Sequence, residues 1–144
     1  MRKFSAVLFA LLILGGCGLA QKMETASLKI GNIALTVEVA KTPSQMAQGL
    51  SGRTDLCASC GMLFSYNDSA IRTFWMKNMN FPLDFIWISG QKIVGLSQNV
   101  PITDESGKVK ILSSFRPVNR VLELSAGWIG QNSVKIGDLV PGLD

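Results

Sequence analysis

The sequence predicts a mainly β domain, an antiparallel jelly-roll-like sandwich or a closed barrel carrying one or two short helices. Three observations predict it: seven or more short apolar runs with strand-like alternation, turn residues between most of them, and no stretch of sustained helical period. A parallel α/β sheet does not fit, because these runs lack the crossover helices such a sheet needs between its strands. The 144 residues are 47% hydrophobic and 17% charged, which excludes a disordered tail and suits one globular domain without internal repeats.

The elements follow in order along the chain. Leu28 and Ile30 share one side of an extended run, Gly31-Asn32 supplies a two-residue turn, and Leu35, Val37 and Val39 then alternate with Thr36 and Glu38. The result is a hairpin with one dry face, ordered from near Ser27. Thr42-Pro43-Ser44-Gln45 changes the period, with a capping hydroxyl, a proline at the first helical position and a glutamine three after the cap. A short helix is expected from Pro43 to about Gln48, ending at Gly49. Beyond Gly61 the strand candidates are Met62-Phe64, Ile71-Lys77, Leu83-Ile88, Ile93-Gln98, Val109-Leu112, Arg120-Leu124 and Val134-Val140. Asn67-Asp68, Ser89-Gly90 and Glu105-Ser106-Gly107 read as turns between them, and Ser125-Ala126-Gly127-Trp128 as the start of a helical turn.

The amino terminus is organised for export. Arg2 and Lys3 precede the apolar stretch Phe4 to Leu14, which is too short to cross a bilayer as a mature helix, and Leu14-Gly15-Gly16-Cys17 ends it at a cysteine. This arrangement resembles a bacterial lipoprotein signal. The resemblance implies cleavage before Cys17 and lipidation of that residue, which tethers the domain to a membrane. The expected plan is a signal peptide over 1–16, a small polar tether over 17–26 and a single β-rich domain over 27–144. Such a domain resides in the cell envelope, facing the periplasm or the outer surface. Losing Arg2 and Lys3 from 14 basic residues leaves 12 against 10 acidic ones, scattered among each other, which argues against a nucleic-acid partner.

Histidine is absent, which excludes a Ser-His-Asp hydrolase and a histidine-containing zinc enzyme. The acids stand singly, so no carboxylate dyad is expected and no catalytic residue is assigned. Cys57-Ala58-Ser59-Cys60 suits a structural disulfide, a redox centre or half of a metal site. With three cysteines in the chain, one of them assigned to lipidation, and no histidine, a tetrahedral metal shell cannot be completed. Neither metal nor other cofactor is expected. A redox pair belongs at the start of a helix, whereas the strand-like Gly61-Met62-Leu63-Phe64 follows here, so a local bridge is the preferred reading and thiol redox chemistry the alternative.

The segment from Phe74 to Ile88 is the richest in large side chains. Alternation puts Trp75 and Lys77 on one face and Phe74, Met76 and Asn78 on the other, with a bend at Asn80 to Pro82 and Asp84 as the nearest acid for Lys77. Such residues either pack as ordinary core beside a solvated ion pair, or wall a pocket with a few convergent polar groups.

Gly49-Leu50-Ser51-Gly52-Arg53, Gly61-Met62-Leu63-Phe64, Phe74-Trp75-Met76-Lys77-Asn78 with Pro82-Leu83-Asp84, and Leu122-Glu123-Leu124-Ser125-Ala126-Gly127-Trp128 leading to Ile136-Gly137-Asp138 occur in that order. Over about Thr42 to Val140 the chain resembles the family known as domain of unknown function 192. It departs from that pattern at Ser51 and Met79, where methionine and threonine are expected, and in carrying the cysteine pair. The resemblance implies a compact β-rich fold and no established activity. It carries over the polar positions Arg53, Lys77, Asn78, Asp84 and Glu123, with Trp75 as an aromatic wall. Arg53, Trp75, Lys77, Asn78 and Asp84 are the candidate ligand-binding residues. Arg53 also suits a cap on the short helix, Asp138 a turn, and Glu123, between Leu122 and Leu124, a water-facing position. The expected role is a lipid-anchored envelope domain binding a small or extended polar or anionic ligand. The alternatives are a docking module for another envelope protein and a redox protein acting through Cys57 and Cys60.

Overall fold

The computed structural model describes residues 23–143. β1 (Glu24–Ile30) and β2 (Ile33–Ala40) form the amino-terminal hairpin, with Gly31 at φ 59° in its turn, a conformation that strains any side chain. Leu28, Ile30, Leu35, Val37 and Val39 are buried, while Ser27, Lys29 and Thr36 face water. The strand begins at Glu24, ahead of the expected Ser27, because Glu24 pairs with Val39 on the ladder and its carboxylate accepts from Lys41 Nζ at 2.7 Å.

α1 (Pro43–Gln48) is closed at its start by a reciprocal box: Gln45 N donates to Thr42 Oγ1 at 3.2 Å and Thr42 N donates to Gln45 Oε1 at 3.0 Å. Gly49 ends the helix at φ 49°. The chain then returns to lay β3 (Cys60–Ala70) parallel to β2, so α1 lies within the one crossover of this otherwise antiparallel sheet.

β4 (Thr73–Trp75), β5 (Leu83–Ser89), β6 (Lys92–Val100), β7 (Ile111–Ser113), β8 (Val118–Ser125) and α2 (Trp128–Gln131) complete the chain. The main sheet has the order β1-β2-β3-β8-β5-β6, and β4 pairs with β7 in a separate two-stranded sheet. The expectation of a closed barrel is corrected to an open sandwich. β1 and β6 each hydrogen-bond to one neighbour and not to each other, and the β4–β7 pair forms its own layer instead of bridging the gap.

Both faces of the main sheet are covered. On one, Leu35, Leu63, Ile86 and Leu122 pack beneath Trp128, Ile129, Val134 and Val140 of the carboxy-terminal segment. On the other, Met62, Phe64, Phe85 and Val121 pack beneath Phe74, Met76, Met79 and Leu112.

Two stretches depart from the sequence reading. Asn67-Asp68 is not a turn but part of β3, whose pairing with β8 shifts register between Ser65 and Ala70; Arg72 Nη2 braces that extension by donating to the Asp68 carbonyl and carboxylate, each at 2.7 Å. Val134–Val140 is not a strand, because Gly137 at φ 102° and the Lys135 N to Asp138 Oδ2 bond at 2.8 Å turn the backbone, leaving a one-residue bridge between Lys92 and Leu139.

Candidate functional site

Two loops that are far apart in sequence are stitched together at one end of the sandwich. After α1, Ser51 Oγ donates to the Lys77 carbonyl at 3.0 Å and Gly52 N to the Asn78 carbonyl at 2.8 Å; Asn80 Nδ2 returns a bond to the Arg53 carbonyl at 2.8 Å. Asn78 sits at φ 57°, in the left-handed region that asparagine tolerates. This turn ends the alternation of β4, so Phe74 and Met76 point inward while Trp75, Lys77 and Asn78 are all exposed. Lys77 Nζ lies 5.7 Å from the Trp75 ring centroid, and both line a shallow hollow of about 260 Å³ with Asn78, Gln48 and Ser51.

A deeper cavity of about 430 Å³ adjoins this hollow, also lined by Trp75, with Met46, Phe64, Phe74, Met79 and Leu83 among its walls. The two hollows share Ala47, Gln48, Ser51 and Trp75 and so form one composite depression.

Glu123 of β8 lines the deeper cavity on its sheet side, between Met62 of β3 and Phe85 of β5 in register. It is 5% exposed, and among the described residues it has neither a hydrogen-bond partner nor a salt bridge. Burial without a compensating donor pushes its carboxyl up to about 8, so the group holds a proton at neutral pH. Tyr66 of β3 lines the same cavity. Burial raises its phenol above the usual value, opposed by the Arg72 guanidinium 3.8 Å over its ring and reinforced by Glu123.

The residues expected at the site divide. Trp75, Lys77 and Asn78 converge on the shallow hollow. Arg53 is instead held by Glu38, its two terminal nitrogens donating to the two carboxylate oxygens at 2.6 and 2.8 Å, and it neither lines the hollows nor caps α1. That pairing raises the guanidinium pKa and holds the Glu38 carboxyl below its usual range. Asp84 is wholly buried and accepts from Asn99 N at 2.7 Å and Ile129 N at 2.8 Å. Its neighbours Leu83 and Phe85 face the cavity side, so strand parity sends Asp84 through the sheet to the start of α2, away from Lys77.

Cys57 and Cys60 are joined in a disulfide at the head of β3, with Cα atoms 5.0 Å apart, and line neither hollow. Cys17, the signal and the first part of the tether lie outside the described residues. Among the described residues no helix is long and apolar enough to cross a membrane, and no three His, Cys, Asp or Glu side chains cluster so as to hold a metal ion.

The sequence pattern of DUF192, described as an uncharacterised ACR, matches residues 26–142. The chain belongs to the DUF192 family. Among solved structures, this DUF192 member is similar to a protein of Sinorhizobium meliloti 1021 described as a candidate transcription regulator, with 32% identity and a TM-score of 0.75 over 83% of this chain and 94% of that one. It is also similar to a protein of unknown function from Novosphingobium aromaticivorans DSM 12444, with 27% identity and a TM-score of 0.74 over 84% of this chain and 87% of that one. No protein of curated description matches the chain.

Glu123 is the member of the site that the sequence reading turned toward water. The signal against that reading is Val121, two residues earlier and therefore on the same face of β8: an apolar residue there means the face is covered.

Proposed function

We propose that this DUF192 protein is a lipid-anchored binding module of the cell envelope, whose composite depression beside Trp75 takes a small ligand with an apolar body and a polar or anionic head. One observation carries this reading: an apolar cavity of about 430 Å³ runs into a polar hollow containing Lys77 and Asn78, with Trp75 as their common wall. That combination of apolar volume and a few convergent polar groups is what small-ligand sites use. The Lys77 ammonium and the Asn78 amide supply donors for the head, and Trp75 supplies a stacking surface. Anchoring rests on the pattern ending at Cys17.

The test is to purify the lipidated protein from its own membranes and release bound molecules with organic solvent for mass spectrometry. Wild type yields a small molecule near one per chain, and Trp75→Ala with Lys77→Ala yields none. Equal recovery from both would refute the assignment.

A second reading has its own observation. Trp75 and Ile111 are register partners of the β4–β7 sheet and are 58% and 61% exposed, an apolar surface that suits docking to another envelope protein. Crosslinking from Ile111 to one partner, with no small molecule released, favours docking.

A further inference from the structure

The polar groups that line the deep cavity are mostly committed to the fold. Ser51 Oγ donates to the Lys77 carbonyl, Gln48 Nε2 to the Ser51 carbonyl at 3.0 Å, and Thr73 Oγ1 shares a 2.8 Å bond with Ser113 Oγ. Glu123 is different, being 95% buried by its 5% exposure, unpartnered and on the cavity wall. A buried carboxyl without a partner is costly, and a ligand that supplies the missing charge or donor recovers that cost.

The cavity lining contains no lysine or arginine, but it does contain Phe64, Tyr66, Phe74 and Trp75. One acid sharing a cavity with aromatic rings is the chemistry that recognises an organic ammonium group, through charge pairing and the negative faces of the rings. We propose that the inner end of this cavity is an organic-ammonium site, with Glu123 as the counter-charge, Phe64, Tyr66 and Phe74 as aromatic walls, and Trp75 standing at the mouth. The inference deepens the ligand-binding reading and rests on it: the ammonium lies at the inner end, and any anionic head of the same ligand reaches Lys77 at the rim.

Burial keeps Glu123 protonated at neutral pH, up to about 8. A fixed cation therefore enters as the carboxylic acid releases its proton to solvent, and the ion pair forms in its place. Tyr66 is the other titratable group of the lining, and its raised phenol stays neutral across the relevant range. Arg72, behind the Tyr66 ring, is paired with Asp68 at 2.7 Å. The lining residues of α1, β4 and β7 bring no titratable group.

The probes are choline and its uncharged isostere 3,3-dimethylbutan-1-ol, titrated by calorimetry into the full chain in detergent between pH 6 and pH 9. Choline affinity is expected to rise about tenfold per pH unit below about 8 and to level off above it, while the alcohol shows no such rise. Near pH 7, binding in buffers of different ionisation enthalpy reports close to one proton released per choline bound. Glu123→Gln abolishes the pH dependence and lowers choline affinity at least tenfold at pH 9. The proposal is overturned if the alcohol binds as well as choline at pH 9, if no proton is released, or if Glu123→Gln leaves choline binding unchanged. Binding of the alcohol without choline overturns the ammonium site alone; binding of neither, with no change in Trp75 fluorescence, overturns the ligand cavity as well.

Discussion

Glu123 stands opposite Met62 in the β8–β3 ladder, so the strand neighbour of a buried carboxyl is a thioether where a donor would be needed to keep it charged. Phe85 is its partner on the other side. A carboxyl so placed stays neutral, and this single electrostatic fact links stability, pH and the proposed site.

The first consequence is a stability profile. The folded-state pKa of Glu123 is raised to about 8, above that of the unfolded chain, so the native state binds the extra proton between the two values. Its contribution is fully present below the unfolded value of about 4.3 and is lost as pH rises through about 8, at up to about 1.4 kcal/mol per pH unit. Urea unfolding at pH 5, 7 and 9 should show this decline in wild type and its loss in Glu123→Gln, which becomes the more stable protein at pH 9. Parallel profiles for the two proteins would contradict it.

Asp84→Ala should be strongly destabilising, by about 2–4 kcal/mol, because it strands the buried Ile129 amide and the Asn99 amide. Hydrogen exchange at Ile129 should accelerate while choline binding by the folded protein is unaltered, since Asp84 lies on the opposite face of the sheet. A loss of ligand affinity without a loss of stability would return Asp84 to the site.

The Arg53–Glu38 pair should be worth little at neutral pH. Both side chains are about a third exposed, and a double-mutant cycle with Arg53→Met and Glu38→Gln should give a coupling of roughly 1 kcal/mol or less. Arg53 holds the Glu38 carboxyl below its usual range, so the coupling is complete above the ordinary carboxylate pKa and vanishes as pH falls through the lowered one. A coupling that persists at pH 2 would contradict this.

Trp75 and Phe85 make a contrast. Trp75 is 58% exposed, and Trp75→Ala should cost under about 1 kcal/mol of stability while lowering ligand affinity about tenfold or more. Phe85 is fully buried and stacked 5.6 Å from Trp87, and Phe85→Ala should cost about 3–5 kcal/mol. Denaturation and calorimetry on the two variants check both halves.

Local chemistry was legible in the sequence, and long-range pairing was not. The Gly31-Asn32 hairpin and the Thr42-Gln45 cap are set by neighbouring residues, and both formed where their patterns placed them. The parallel β2–β3 pair, the extension of β3 through Asn67-Asp68 and the loss of a strand at Val134–Val140 depend on partners distant in the chain. Within the site, Trp75, Lys77 and Asn78 come together because one local turn presents them. Asp84 lies outside the site because Leu83 and Phe85 claim the cavity face, a parity that rests on which face of β5 the distant β4–β7 layer covers. Glu123 is buried because β8 is covered on both faces; Val121 signals a covered face in the sequence, but the layer that covers it, β4–β7 with α1, is assembled from distant parts of the chain.

The most direct measurement is a carbon-13 NMR titration of the Glu123 side-chain carboxyl in the ligand-free protein and in the presence of saturating choline. The expected midpoint is near 8 without ligand and falls by at least one pH unit with choline bound. A midpoint in the ordinary carboxylate range without ligand, or one that choline leaves in place, would contradict a neutral, unspent acid waiting in the cavity.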